Sequence, residues 1–384
     1  MASEPGQVND RLSFDRSSSR RKLTEAEKLY VASQWQLMWR RLRRHTLAII
    51  GATVLAIGYL VALLAPFLSP YPINQRSDYL YMGPQKVRIL HDGKLHRPFV
   101  YGLKQDVDPD TWRRVYTEDK SILYPINLFV RGFEYRLLGL IPGNIHLFGV
   151  PEGGVIFVLG TEDLGRDAFS RNLHAASISM SIGLAGVAFS FVLGCILGGL
   201  SGFYGGLVDV VVQRVIEFLT SIPTIPLWMA LSAAVPPHWD PVKVYFGITL
   251  ILSLQGWCGL ARVVRGKLLE LREEDFVVAA QVAGTSDWNI ITTHLLPAFM
   301  SYLIVNVTLG IPGMILGETA LSFLGLGIRP PTVSWGVLLQ QAQNVRTVSL
   351  YPWLLAPAFM VIVVVLAFNF LGDGLRDAAD PYAV

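Results

Sequence analysis

Three groups of ionisable residues have a type and spacing that could do chemistry. Glu162, Asp163 and Asp167 stand close together, as a pair of carboxylates sharing acid and base roles would. No nucleophile or metal pattern accompanies them, and neither HExxH nor GxSxG occurs in the chain. RGKLLE (Arg265–Glu270) holds a Gly-Lys pair, yet it has no glycine five positions ahead and no following Ser or Thr. A loop built that way does not cradle phosphates. Arg214 and Glu217 lie three apart on one helical face inside an apolar stretch. Charge at such depth needs a partner or an aqueous cavity, so a structural ion pair and a direct contact with a solute both stay open. The expected inventory is no catalytic residue, no metal ligand and no cofactor held by this chain.

The elements that carry these groups are membrane-like. Of 384 residues, 52% are hydrophobic and 16% charged, against about 25% charge in globular chains. Mean hydropathy is +0.43. Six uncharged runs reach the roughly 17–25 residues that a bilayer requires: Leu47–Leu68, Ala175–Gly202, Phe218–Pro237, Val244–Ala261, Leu295–Leu316 and Val348–Gly372. Arg40, Arg41, Arg43 and Arg44 precede the first, and Arg262, Arg265, Lys267 and Arg272 follow the fourth. The opposite short loops hold only Lys243, Arg329 and Arg346, so both termini are expected in the cytoplasm. That asymmetry explains the net charge of +3 without a nucleic-acid partner. Cys195 and Cys258 fall inside runs and read as small packing residues. The first run starts too far in for a cleavable signal.

Residues 1–22 are polar and expected to be disordered, and Thr24–His45 reads as an amphipathic helix on the inner face. Between the first two spans, residues 69–172 carry both signs of charge. Lys86–Gly102 is strand, Asp92-Gly93 turn, strand; Leu123–Val130, Tyr135–Leu140 and Gly153–Gly160 add strand-like runs. A β-rich domain outside the cytoplasm is expected. Gly194, Gly198, Gly202 and Gly206 recur every four residues, the spacing that lets helices approach closely. Pro223 and Pro226 should kink the third span.

A polar island between two long apolar stretches, EDFVVAAQVAGTSDWNIITTHLLP (Glu274–Pro297), predicts a short helix opened by Glu273, Glu274 and Asp275 and closed by Gly284. Val277, Val278 and Ala280 are available to its apolar face. Thr285 or Ser286 then caps a second helix with Trp288, Ile291 and Leu295 at helical spacing. The pattern is an exposed knuckle between two spans.

Ala279-Ala280, three residues, Gly284, then Leu296-Pro297 resembles the EAA loop of bacterial ABC importer membrane subunits. Val278 replaces the motif's frequent glutamate, and His294 a usual aliphatic residue. LGTEDLGRDAFSRNLHAASISMSIGL (159–184), ETALSFLGLGIRPPTVSWG (318–336) and FNFLGDGLRDAADP (368–381) resemble further signatures of the dipeptide/oligopeptide branch, the C-type permease subunit. Residues 155–384 match almost throughout; the insertion, about a hundred residues long, is a departure.

The resemblance implies an all-α polytopic membrane protein with six transmembrane helices, the type I ABC importer fold. The β-rich insertion would be extracytoplasmic. It divides the chain into a tail with an elbow helix (1–45), a first span (46–68), the insertion (69–172) and a permease core (173–384) with a coupling loop at 273–297. Within that loop it implies ATPase coupling through Glu274, Asp275, Val278, Ala279, Ala280, Gly284 and Thr285. Leu321–Gly327 would dip into the outer face beside the path. The implied partners are a second, homologous permease subunit in a heterodimer and two ATP-binding cassette subunits carrying ATP and Mg. An external binding protein and the bilayer of a bacterial inner membrane complete the set. Short peptides lead the implied solutes. A secondary transporter is the alternative, although the inner charges cluster at one end of one span rather than at mid-membrane.

Overall fold

A computed structural model describes residues 34–236 and 238–379. The expected disordered tail, the start of the expected amphipathic helix and the last residues of the chain lie outside the described residues. Helix α1 (Gln34–Leu42) buries Met38 and Leu42 against Val305 and Leu375, leaving Trp39 exposed. The His45 ring accepts the Ala48 N–H and caps α2 (Thr46–Leu63), and one further turn, α3 (Ala65–Leu68), ends the first apolar run.

Five strands follow: β1 (Arg88–His91), β2 (Lys94–Val107), β3 (Arg114–Pro125), β4 (Asn127–Leu137) and β5 (Ile141–Gly149). They form an antiparallel β1–β2–β3 sheet and a separate β4–β5 hairpin. Asp92 and Gly93, both at positive φ (47° and 77°), make the two-residue turn between β1 and β2. Two expectations are corrected here. Gly153–Gly160 forms no strand; it is an irregular segment that buries Ile156 and Phe157. Ile141–Gly149 is a strand that the pattern does not mark, because Pro142, Gly143 and Asn144 are residues strands usually lack.

Helix α4 (Ala168–Tyr204) starts under a cap: Asp167 accepts the Ser170 N–H. Then come α5 (Gly206–Ser221) and α6 (Thr224–Ala233), bent 87° from each other at the Ile222-Pro223 break. The residue before a proline is driven out of the helical region, and Ile222 is extended (φ −90°, ψ 128°). The third expected span is therefore two helices rather than one kinked helix. Helix α7 (Pro241–Leu271) leads to α8 (Asp275–Val282), then α9 (Met300–Phe323), α10 (Trp335–Ala342), α11 (Val345–Leu350) and α12 (Ala356–Ala379). Among the described residues, five segments are long and apolar enough to cross a membrane (α2, α4, α7, α9 and Pro352–Ala379), or six if the bent pair counts as one.

The main contact is α4 on α7. A β carbon at Gly194 would lie 2.9 Å from Leu260, one at Gly198 2.5 Å from the Ala261 carbonyl oxygen, and one at Gly202 2.8 Å from the Arg265 carbonyl oxygen. That glycine face is filled by α7 of the same chain. Gly206 belongs to a different feature. At φ 54° with nothing within 4 Å of its β position, it helps turn the chain from α4 into α5. Around the seam a core of Met180, Ile182, Leu252, Ile315, Trp335 and Phe368 joins α4, α7, α9, α10 and α12.

Gly198→Val forces two methyl groups into backbone, so it should lower the thermal midpoint of the purified protein, with overpacking costing about 1–3 kcal/mol. Gly266→Ala, on α7 with nothing within 4 Å of the new carbon, should leave the midpoint unchanged or slightly higher. Equal midpoints for the two variants would contradict the seam.

Candidate coupling site

The knuckle sits on a dry base. Val277 is the buried residue of α8, packed in one cluster with Leu268 from α7, Cys195 from α4 and Leu303 from α9. Ile290, Ile291, Leu295 and Phe299 complete it from the return segment. That segment is not the regular second helix expected: a turn at Asp287–Asn289 enters a π-helical stretch, Ile290–Leu295. Ile291 and Leu295 are buried as their spacing suggests, but Trp288 is 56% exposed. Ser286 stands at the cap position without a side-chain bond, and Thr285 donates its N–H to the Ala280 carbonyl. Gly284 has φ 77°, the left-handed conformation that only glycine takes without penalty, and donates to the Gln281 carbonyl.

Turned away from that base is a surface of Glu274, Asp275, Val278, Ala279 and Gly284, all exposed, with Ala280 and Thr285 half-buried. Val278 was expected on the apolar face and is instead 45% exposed. Three large apolar residues outside the expected set share the surface: Phe276, Val282 (84% exposed) and Trp288. An apolar, acid-flanked protrusion on a rigid support is built for a protein contact. The spacing alone could not separate these residues from core, since α8 is only eight residues long and sequence does not tell which face meets water.

The base is tied by charge as well. Asp209, at the start of α5, receives Arg265 of α7 in a two-pronged pair and also accepts the Ser201 hydroxyl of α4, while Gln213 donates to Ser201. Three helices thus meet at one carboxylate. Neither Asp209 nor this pairing stands out in sequence, because the partners are 56 residues apart. Arg214 and Glu217, which do stand out, bond at 2.6 Å on an exposed face (76% and 54%), a setting where ion pairs contribute little.

At the other end of the helices is a polar seam. Glu318 of α9 is fully buried, accepting the hydroxyls of Ser179 (2.9 Å) and Ser322 (2.7 Å) and bonding Ser334. Those serines in turn accept backbone N–H groups of Trp335, Ile328 and Val337. One carboxylate therefore organises the 324–334 connection. Leu321–Phe323, expected to begin a dip, are the last turn of α9, and Leu321 and Ser322 are buried. Nearby, Glu162 pairs with Arg166 and Arg171. Burial pushes the Glu162 carboxyl up while both guanidiniums pull it down, and burial raises Asp167 to about 6. No group of three or more metal-ligating side chains exists among the described residues.

Residues 190–383 match the family model for the binding-protein-dependent transport system inner membrane component, and residues 33–84 match the N-terminal TM domain of oligopeptide transport permease C. The dipeptide transport system permease protein DppC of Bacillus subtilis is 31% identical over 91% of this chain and 86% of its own length. The chain belongs to this permease family. The oligopeptide transport system permease protein OppC of Haemophilus influenzae is 40% identical over 58% of this chain and 69% of its own. A solved structure of the MetNI methionine ABC transporter aligns at 19% identity with a TM-score of 0.42, over 54% of this chain and 96% of that one. Neither family model reaches residues 85–189, so the five strands lie outside both. The chain is a multi-pass membrane subunit of an ABC importer, a transport complex with ATPase and binding-protein partners.

Glu318→Ala removes the acceptor of buried hydroxyls, at about 1–3 kcal/mol for each group left unpaired. The variant should show a clear fall in the thermal midpoint of the purified protein, with Glu318→Gln falling less. An unchanged midpoint for the alanine variant would contradict the seam's role.

Proposed function

We propose that the chain forms one half of the translocation path of an ATP-driven importer for short peptides or similar small solutes handed over by an external binding protein. The observation that carries the coupling role is the α8 knuckle: exposed Phe276, Val278 and Val282 beside Glu274 and Asp275, with Val277 anchored between α4, α7 and α9. A partner ATPase that closes on ATP would push this surface, and the push would pass through the Val277 cluster to three candidate spans at once. ATP and Mg bind on the partners, and this chain contributes no catalytic group. The bent pair α5–α6 counts as one span, giving six and placing both termini in the cytoplasm. The five strands then lie outside the cytoplasm, above the first span. A second, homologous permease subunit supplies the other half of the path, since two ATPases closing on each other need two knuckles.

Two experiments test this. Gly284→Val puts a β-branched residue into a left-handed turn at about 1–2 kcal/mol and moves the knuckle. The complex should still assemble, with ATPase stimulation and uptake falling together; normal transport by the variant would end the coupling assignment. Gly93→Cys places a thiol in an open turn. An impermeant thiol reagent should label it in intact spheroplasts, whereas labelling only after lysis would put the strands on the wrong side.

A further inference from the structure

Along one side of α9 the chain leaves space that it does not fill. A cavity of about 540 Å³ at the knuckle end is lined by Phe299, Tyr302, Val305 and Leu309, with Lys267 of α7 and Arg376 of α12 in its walls. A second cavity, of about 310 Å³, shares Asn306 and Leu309 with the first and runs on past Gly310 to Met314. Tyr302, Val305, Asn306, Leu309, Gly310 and Met314 recur at steps of three and four, so the two cavities form one groove down a single helix face. Gly259 of α7 lines the same groove with nothing within 4 Å of its β position, so its missing side chain serves no contact within the chain.

The charges in the groove have one sign. Lys267 and Arg376 come from different helices, and no carboxylate lines either cavity. Arg376, in the last turn of α12, joins no ion pair among the described residues, while its neighbour Asp377 faces His45 at 3.5 Å. Lys267 meets Glu270 at 2.9 Å, but both side chains are well exposed, and such a pair holds its ammonium only weakly. The cationic mouth also lies at the level of a membrane surface. Helix α1 packs Met38 and Leu42 onto Val305 and Leu375 beside it, leaving Trp39 exposed with the Arg43 guanidinium 5.0 Å from the ring centre. Tryptophan and basic residues on a short amphipathic helix mark the headgroup region. Below the mouth the lining is mostly apolar. From Tyr302 to Met314 the helix rises about 18 Å, against about 15 Å of hydrocarbon in one leaflet.

We infer that the groove holds one anionic phospholipid of the leaflet on the knuckle side, with its phosphate between Lys267 and Arg376 and an acyl chain along α9. Two cations at the mouth match the headgroup, and the apolar length below matches the chain. The inference takes the spans as proposed, and it holds whichever side of the membrane the knuckle faces. Phe299 belongs both to the groove and to the cluster that supports Val277. A bound lipid would therefore brace α7, α9 and α12 at the base of the knuckle, making the membrane's anionic content part of what sets its stiffness.

The test uses the whole complex in phosphatidylcholine nanodiscs carrying a trace of lipid with a photoreactive acyl chain, either phosphatidylglycerol or phosphatidylcholine. Label mapped to residues 300–314 should be about tenfold higher from the anionic probe, the order expected for two cations beside one headgroup. The double variant Lys267→Gln, Arg376→Gln should lose that excess while keeping the native thermal midpoint in phosphatidylcholine. Equal labelling by the two probes in the native chain, or the excess retained in the double variant, would overturn the site. So would a photoreactive residue at Leu309 that captures a second permease chain or a transported solute instead of lipid. The labelling needs no ATP, and Gly284→Val should leave it unchanged, so a failure of the coupling assignment would show separately.

Discussion

Everything at the knuckle end depends on the close approach of α4 to α7. Three glycines let the two backbones meet, with no room for a β carbon at Gly194, Gly198 or Gly202. Gly202 rests on the Arg265 carbonyl, and the Arg265 side chain reaches from the same turn to Asp209, which also takes the Ser201 hydroxyl. Steric closeness and a partly buried ion pair thus fix the same turn of α7. Beyond it, Leu268 and Val277 share one apolar cluster, so α8 inherits a fixed position. Force applied to an exposed knuckle is transmitted only if its base does not yield, and close packing supplies that stiffness.

The other end is held by a different means. Glu318 gathers serines from α4, α9 and the connection into α10, and each serine passes the bond on to a backbone N–H. A network in which every member has a partner fixes one arrangement of an irregular segment, whereas a half-satisfied one would be costly. The five strands join the core near this end, through the Glu162–Arg171 cluster and through His146 on Pro66. The same helices are therefore tied by glycine contact and a carboxylate at one end, and by hydroxyls and buried ions at the other.

Much of this was legible in the sequence, and for physical reasons. Apolar length marks a span wherever the run is regular, as in α2, α4, α7, α9 and α12. Asp92-Gly93 and Gly284 are legible because their backbone conformations demand those residue types. Elsewhere the information was not local. Pro223 predicts a kink, but a break of 87° depends on what each half packs against. Asp209 and Arg265 pair only when folding brings them together, whereas Arg214 and Glu217 are neighbours in sequence and sit on an exposed face. Strand β5 is hidden by Pro142 and Gly143, which a paired hairpin tolerates. The glycine spacing foretold close approach without naming the partner, which is α7 rather than another chain.

The most direct measurement of the central claim is site-specific photocrosslinking from the knuckle in the intact complex. A photoreactive residue at Val282, 84% exposed on α8, should capture an ATP-binding subunit, with a yield that changes between nucleotide-free and ATP-bound states. The same residue at Val242, also exposed but at the opposite end of α7, should not capture it. Capture of lipid or of permease alone from Val282, with no ATP-binding subunit in either state, would contradict the account.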